Sequence, residues 1–311
     1  MGMVKVIAPA KVNLYLGVGQ CRADGYHDVD TIMHALSLHD TLTIACHEGI
    51  PGEGLQVEVS CTEHGGIAPL EIPAEDNIVY KTAHALAAAF SRTVDEQVRI
   101  AIDKEIPHGA GLGGGSSDAA ATIVGLCSLW GEEASSETAL NVAAAMGADV
   151  AFFLHGGCAR MSGTGASFEK ELAPARSTIV IVRPEEGVST AAAYRAFDES
   201  PVVIDDGRRR TAASADAAGD VPLTNNLASA AEGILPELEQ IREWLSSAEG
   251  VACNSAGEAQ VLLCGSGSST FAVCDGFDAA YRLCGEARNR GWWARSTNLS
   301  AVRAAVLPRA W

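Results

Sequence analysis

The sequence predicts an α+β protein of two domains, on three observations. Its 311 residues, 48% of them hydrophobic, suffice for one large core or two moderate ones. Stretches with strand-like alternation and stretches with helix-like spacing follow one another along the whole chain. A new strand signal at 178–182 comes after glycine turns near Gly163 and Gly165, which puts a boundary within 165–178 and units at 1–170 and 171–311.

Residues 4–16, VKVIAPAKVNLYL, read as two short strands interrupted by Ala8-Pro9-Ala10. Period-two alternation sets Lys11, Asn13 and Tyr15 on one face and Val12, Leu14 and Leu16 on the other. Alone, this is a solvated edge strand with a surface lysine. Asp24-Gly25 is a hairpin signal, Tyr26 and His27 close the polar turn, and 29–42 returns to apolar character. Residues 41–45 and 55–60 read as strands joined by the glycine-rich 48–54, and Asp76 offers an N-cap for an apolar helix over 77–90.

The most chemically informative stretch is 107–123, PHGAGLGGGSSDAAATI, between a strand at 98–102 and an amphipathic helix at 118–130. Glycine occupies five of the seven positions from 109 to 115, so the backbone can turn tightly and bring several N–H groups to an anion. A helix starting at Ser116 or Ser117 adds its free donors and positive dipole end, which makes a phosphate cradle. Gly109, Gly111 and Gly114 also satisfy the dinucleotide pattern G-x-G-x-x-G, though mid-chain and behind a proline. The ordinary P-loop needs a lysine before Ser116, and none is there. A plain strand-to-helix turn needs only one or two glycines.

Further on, 135–146 reads as a helix, and Asp149 stands among Gly147, Ala148, Val150 and Ala151. A carboxylate in such company is either a helix cap or a functional group, since burying it unpaired is costly. His155 to Arg160 reads as a strand with glycine turns, and 188–190 leads into a helix carrying Tyr194, whose plain reading is helix-face packing. Residues 199–221, with Asp205-Asp206 against three arginines, read as an exposed or mobile connection without assigned function. An amphipathic helix at 238–245, strands at 259–264 and 270–274 around Gly265-Ser266-Gly267-Ser268-Ser269, a helix at 277–288 and strands within 292–307 complete the second α+β unit.

Composition excludes several classes. A net charge of −17 argues against nucleic acid as a partner. No apolar run nears the about 20 residues of a membrane span, and the opening residues lack a signal peptide's apolar centre, so the expectation is a cytoplasmic protein without a membrane partner. The nine cysteines are scattered singly and the eight histidines are dispersed, which indicates neither a disulfide framework nor a metal site from side-chain clusters.

Taken as Pro107-x-x-x-Gly111-Leu112-Gly113-Gly114-Gly115-Ser116-Ser117-Asp118-Ala119-Ala120, the glycine stretch resembles the phosphate loop of the GHMP kinases, which include galactokinase, homoserine kinase and mevalonate kinase. The resemblance implies ATP-dependent phosphoryl transfer. It also implies the two-domain GHMP kinase fold, with an N-terminal ribosomal-S5-like nucleotide domain and a C-terminal ferredoxin-like α/β domain. Ala8-Pro9-Ala10-Lys11-Val12-Asn13-Leu14-Tyr15-Leu16 together with Asp24-Gly25-Tyr26-His27 resembles one branch of that superfamily, whose small-molecule acceptor is a cytidylylated methylerythritol of the non-mevalonate isoprenoid pathway. Homoserine or mevalonate as acceptor, a nucleotide-binding regulator without catalysis, and a nicotinamide oxidoreductase are the alternatives.

The resemblance carries roles residue by residue. Lys11 and Asp149 are the implied catalytic pair. Pro107, His108, Gly109, Ala110, Gly111, Leu112, Gly113, Gly114, Gly115, Ser116 and Ser117 hold ATP, with Mg2+ near Ser117 and with Asn77, Ile78 and Lys104 toward the adenosine. Asn13, Tyr26, His27, Thr190 and Tyr194 hold the acceptor, the two tyrosines walling a cytosine ring. Gly265 to Ser269 resembles a third motif near the acceptor. Ala151 stands where the pattern has proline, and no basic residue stands near Ala166. The expected assembly is a monomer or a weak homodimer.

Overall fold

The computed structural model describes residues 2–69 and 72–308. In chain order the first half contains β1 (Gly2–Cys21), β2 (His27–Glu48), β3 (Leu55–Glu63), α1 (Ile78–Ala89), β4 (Glu96–Lys104), α2 (Gly114–Trp130), α3 (Glu137–Met146), α4 (Val150–His155), β5 (Cys158–Ser162) and β6 (Ser167–Leu172). Then come β7 (Thr178–Arg183), α5 (Thr190–Glu199), α6 (Asp206–Ser214), β8 (Thr224–Asn225), α7 (Ala228–Ile234), α8 (Glu237–Ser247), β9 (Val261–Leu263), β10 (Thr270–Val273), α9 (Phe277–Asn289), β11 (Trp293–Asn298) and β12 (Ala305–Val306). The α+β class is as expected.

The long antiparallel pair β1–β2 is the spine of the first sheet, whose main path runs β12-β1-β2-β4-β3. The expected break at Ala8-Pro9-Ala10 is a bulge instead. Pro9 still pairs with His39, and the register shifts between Pro9 and Lys11, because a proline removes one ladder donor without ending the strand. A second shift lies between Asn13 and Tyr15. It turns the alternation over, so Leu16 shares a cleft with Lys11 and Asn13 while Tyr15 lines a different cavity. The predicted face Lys11, Asn13, Tyr15 therefore holds only for its first two members.

Other boundaries moved for local reasons. The N-cap of α1 is Asn77, whose Oδ1 accepts from Val79 N–H at 2.9 Å, and Asp76 ends a short 3₁₀ turn before it. Helix α2 starts at Gly114 because Gly113, at φ 72°, already forms the cap. His155 closes α4 and does not open a strand. Most of the 199–221 connection is exposed, as expected, but residues 206–214 form a helix, and Ala212, Ala215, Ala218 and Val221 are buried in a core cluster, so it is anchored through these small residues. The arginine run hid this small-residue face, and the short α7 was not anticipated.

In the second sheet, order β11-β7-β10-β9, every neighbouring pair is antiparallel. With α8 and α9 packed on it, this is the expected ferredoxin-like βαββαβ arrangement. Strand β7 is buried on both faces: Ile179 and Ile181 join β1 and β2 side chains in one cluster, and Val180 and Val182 meet α8 and α9 in another. The opposite face of the first sheet is covered by α1 to α4. The last strands do not all stay in the second unit: β12 pairs with β1, and β8 runs parallel to it at Tyr15 and Leu16. Both halves of the chain thus converge on β1, which positions the site.

Candidate active site

The bulge after Pro9 gives Lys11 its place. Its backbone N–H leaves the ladder and donates to Leu112 O at 3.0 Å, which fastens the glycine loop to the strand. Its side chain is buried; Nζ donates to Asn13 Oδ1 at 2.8 Å and stands 3.2 Å from Asp149 Oδ2. Asn13 passes the order on, donating from Nδ2 to Thr31 Oγ1 at 2.8 Å, and Thr31 donates to Tyr15 O at 2.7 Å. Lys11, Asn13 and Thr31 thus form a continuous hydrogen-bonded relay, which fixes the ammonium against the carboxylate. Asp149 precedes α4 but makes no side-chain cap bond, so the cap reading does not account for it.

The glycine loop approaches the same point from the other side. A Cβ on Gly113 (φ 72°) would fall 2.7 Å from Phe153 and 3.1 Å from Lys11 Cγ, and one on Gly111 (φ 73°) would fall 2.1 Å from Cys264 O. Only glycine lets the loop sit there. The first helical bond of α2 runs from Ser117 N–H to Gly113 O at 2.8 Å, which leaves the preceding N–H groups without helical partners, as at any helix start. Ser116 lines the cleft, whereas Ser117 is fully buried. The second unit closes the pocket: Ser269 N–H donates to Ala110 O at 3.1 Å, and Arg183 Nη1 donates to His108 O at 2.9 Å. Thr190 and Ser266 exchange a hydroxyl bond of 2.9 Å. The resulting cleft of about 340 Å³ has Lys11, Asp149, Gly113, Ser116, Thr190 and Tyr194 on its walls.

Lys104 lies under the loop and not on its surface. Nζ is bound by Asp40 at 2.6 Å and Asp118 at 2.5 Å, and a Cβ on Gly114 would be 3.2 Å from it. Asp40 Oδ1 also accepts from the N–H groups of Glu105 and Ile106. Burial pushes Asp118 up to about 7 against the pull of Lys104, with Asp40 adding to the rise. Burial also works against the charge on Lys104, but the two carboxylates outweigh it and raise its pKa. Two acids and one ammonium thus share a buried site in which the Asp118 carboxyl holds its proton more tightly than an exposed one.

The acceptor-side residues divide. Asn13, Thr190 and Tyr194 reach the cleft. His27 is buried one step beyond it, with its ring 4.9 Å from that of Tyr194 and Nε2 2.7 Å from Asp198 Oδ1. Tyr26 is 64% exposed and lines neither the cleft nor the neighbouring cavity of about 750 Å³. Asn77 spends its side chain on capping α1, and Ile78 is the nearest side chain to a Cβ placed on Gly115, at 3.8 Å. Sequence reasoning missed Asp40, Thr31 and Asp198, which order these groups from distant positions. It also missed Asn225, which donates to Leu263 O at 2.9 Å and Gly265 O at 2.8 Å; the adjacent Asn225-Asn226 between Thr224 and Leu227 was the available signal.

Comparison with known proteins agrees with this geometry. A family model described as GHMP kinases N terminal domain matches residues 77–157, from the cap of α1 through the glycine loop to just past α4. A curated 4-diphosphocytidyl-2-C-methyl-D-erythritol kinase of Desulfitobacterium hafniense is 33% identical over 94% of this chain and 96% of its own length. The chain belongs to the 4-diphosphocytidyl-2-C-methyl-D-erythritol kinase family. The kinase of that name from Rhodococcus jostii is 38% identical over 93% of this chain and 89% of its own. A crystal structure of 4-(cytidine 5'-diphospho)-2C-methyl-D-erythritol kinase superposes with a TM-score of 0.73 at 31% identity, covering 95% of this chain and 99% of the other. The 4-diphosphocytidyl-2-C-methyl-D-erythritol kinase family is a branch of the GHMP kinases, and the two-sheet architecture described above is the GHMP kinase fold. Among the described residues no helix is long and apolar enough to cross a membrane.

Proposed function

We propose that this chain transfers the γ-phosphoryl group of ATP to the 2-hydroxyl of 4-diphosphocytidyl-2-C-methyl-D-erythritol, in the cytoplasm and within the non-mevalonate route to isoprenoids. The observation that carries this reading is the Lys11–Asp149 pair, 3.2 Å apart, facing the helix start of the glycine loop across one cleft. Phosphoryl transfer asks the protein mainly for in-line placement and charge stabilisation. Asp149 Oδ2 accepts the proton of the attacking hydroxyl. Lys11, held by Asn13, orients that hydroxyl and faces the negative charge that develops on the transferring oxygens. The free N–H groups at the start of α2 hold the phosphates.

Mg2+ bound with ATP would neutralise charge on the phosphate oxygens. The Ser116 hydroxyl is an oxygen donor on the cleft wall, which suits that ion; Ser117 faces the interior. Thr190 and Tyr194, with His27 behind, hold the cytidylyl acceptor, and Ile78 and Asn77 lie toward the adenosine. We read the domains as 1–170 and 171–311, the second returning β8 and β12 to the sheet of the first. The deciding experiment is a coupled ADP-release assay with this acceptor beside homoserine and mevalonate. Turnover with the cytidylyl compound alone supports the reading; turnover with a control alone keeps the phosphate site and overturns the acceptor.

A further inference from the structure

The Arg22–Tyr26 turn brings together three side chains that the proposed reaction does not use as a group. Cys21 and His27 are directly paired across the β1–β2 hairpin, so their side chains leave the same face side by side. The turn is held by its own bonds: Arg22 N–H donates to Tyr26 O at 2.6 Å and Gly25 N–H to Arg22 O at 3.0 Å. Asp198 arrives from α5 and meets His27 Nε2 at 2.7 Å. The sulfur of Cys21, the imidazole nitrogen and the carboxylate oxygen all lie within 4.8 Å of one another.

We propose that Cys21, His27 and Asp198 form a binding site for a zinc-class divalent ion, with its fourth position open toward solvent or acceptor. A thiolate, an imidazole and a carboxylate are the ligand types that suit zinc, and three protein ligands with one open position are a familiar zinc arrangement. Tetrahedral coordination at zinc bond lengths spaces ligand atoms about 3.3–3.8 Å apart, so the longer separations, which reach up to 4.8 Å, must close by about 1 Å, while His27 Nε2 and Asp198 Oδ1, now hydrogen-bonded at 2.7 Å, must open by about 0.7 Å. The ring of His27 is already oriented, lying 4.9 Å from Tyr194 and 6.4 Å from Phe197. Cys21 has a free thiol whose contact is a weak one to Arg22 O at 3.6 Å, so little is lost when it turns. The other nearby carboxylates, Asp24 and Asp28, are engaged by Arg22. On binding, the thiol proton leaves to solvent and the imidazole proton moves from Nε2 to Nδ1, so one proton is released per ion. Magnesium, which prefers six oxygen ligands, does not compete. The three positions are too far apart in the chain, and too irregularly spaced, to form a sequence motif, which is why the sequence indicated no metal cluster.

Coordination takes the nitrogen of His27. If that residue serves the acceptor, as proposed above, zinc competes with the acceptor and leaves ATP binding alone. The primary test avoids activity altogether: the whole chain is titrated with Co2+ and followed by absorption. The expected result is a thiolate-to-cobalt charge-transfer band with the strong visible bands of tetrahedral cobalt, saturating at one ion per chain. Cys21→Ser should abolish the charge-transfer band and weaken binding by roughly a hundredfold, since loss of even an outer-shell partner costs about 10–100-fold. Cys61→Ser and Cys253→Ser, which remove the other exposed thiols, should leave the band unchanged. Absence of the band in the unmodified chain, or its survival in Cys21→Ser, overturns the site. A second arm measures zinc inhibition against acceptor concentration, with Cys21→Ser expected to retain basal turnover and lose the inhibition. A cobalt band that depends on Cys21 without competition against the acceptor upholds the metal site and removes His27 from the acceptor pocket.

Discussion

Lys11 Nζ stands 3.2 Å from Asp149 Oδ2 while donating to Asn13 Oδ1 at 2.8 Å, so one ammonium is shared between a carboxylate that can take a proton and an amide that only positions it. Asp149→Asn keeps the shape and removes the base. It should lower kcat by about 10²–10⁴-fold with ATP affinity unchanged, and Lys11→Ala should do the same. Single-turnover kinetics beside a nucleotide titration measures both quantities. Near-normal turnover in both variants removes the pair from the chemistry.

The glycine loop allows a paired test of stability against binding. Gly111→Ala places a side chain at φ 73°, with Cβ 2.1 Å from Cys264 O. It should cost more than the about 1–2 kcal/mol of a left-handed residue, because the loop and the 265–269 turn must also separate. Gly115→Ala meets nothing closer than Ile78 Cγ2 at 3.8 Å and should keep or raise Tm, alanine being favoured over glycine in a helix by up to about 1 kcal/mol. If phosphates rest on this helix start, Gly115→Ala nonetheless weakens ATP binding. Undiminished affinity in a stable Gly115→Ala protein would place the phosphates elsewhere.

Much of this site was legible because it is local. Five glycines around Gly111 and a small-residue helix behind them need no distant partner to be recognised, and Lys11 and Asn13 share a face by simple alternation. Tyr15 failed that rule because the bulge at Leu14 turns the strand over, and nothing in LYL announces a bulge. Lys104 was placed toward the adenosine by resemblance, and its burial under the loop was not legible because its two carboxylates, Asp40 and Asp118, come from β2 and α2. The partner of His27 lies 171 positions away, beyond any spacing rule. The arginines of α6 masked a buried face because composition weighs charge and not direction.

The buried triad sets a pH dependence of stability. Burial raises the folded Asp118 carboxyl to about 7, against 3.8 for the exposed carboxyl of the unfolded chain. Between those values the folded state binds more protons, so stability falls as pH rises through this window. Lys104 contributes in the same sense at much higher pH, because its raised pKa gives stability that is present below 10.5 and lost above its folded value. Denaturant melts of Asp118→Asn should lose the slope between pH 4 and 7. Lys104→Met, which strands two buried acids, should cost about 3–5 kcal/mol. A slope unchanged in Asp118→Asn assigns the dependence to other groups.

Tyr194 offers the sharpest test of the acceptor. Its ring lies on the cleft wall and leans on His27 at 4.9 Å. Burial, with Asp149 second, pushes its hydroxyl up to about 12, so the phenol stays neutral at working pH and acts as a surface for stacking. A cytosine resting there gains about 1–3 kcal/mol. Tyr194→Ala should therefore raise KM for the cytidylyl acceptor by about 5- to 150-fold and leave KM for ATP alone. Tyr194→Phe keeps the ring and should behave almost as the unmodified enzyme. Were Tyr194→Phe to lose as much as Tyr194→Ala, the hydroxyl and not the ring would hold the acceptor. An unchanged KM in Tyr194→Ala would move the base away from α5 altogether.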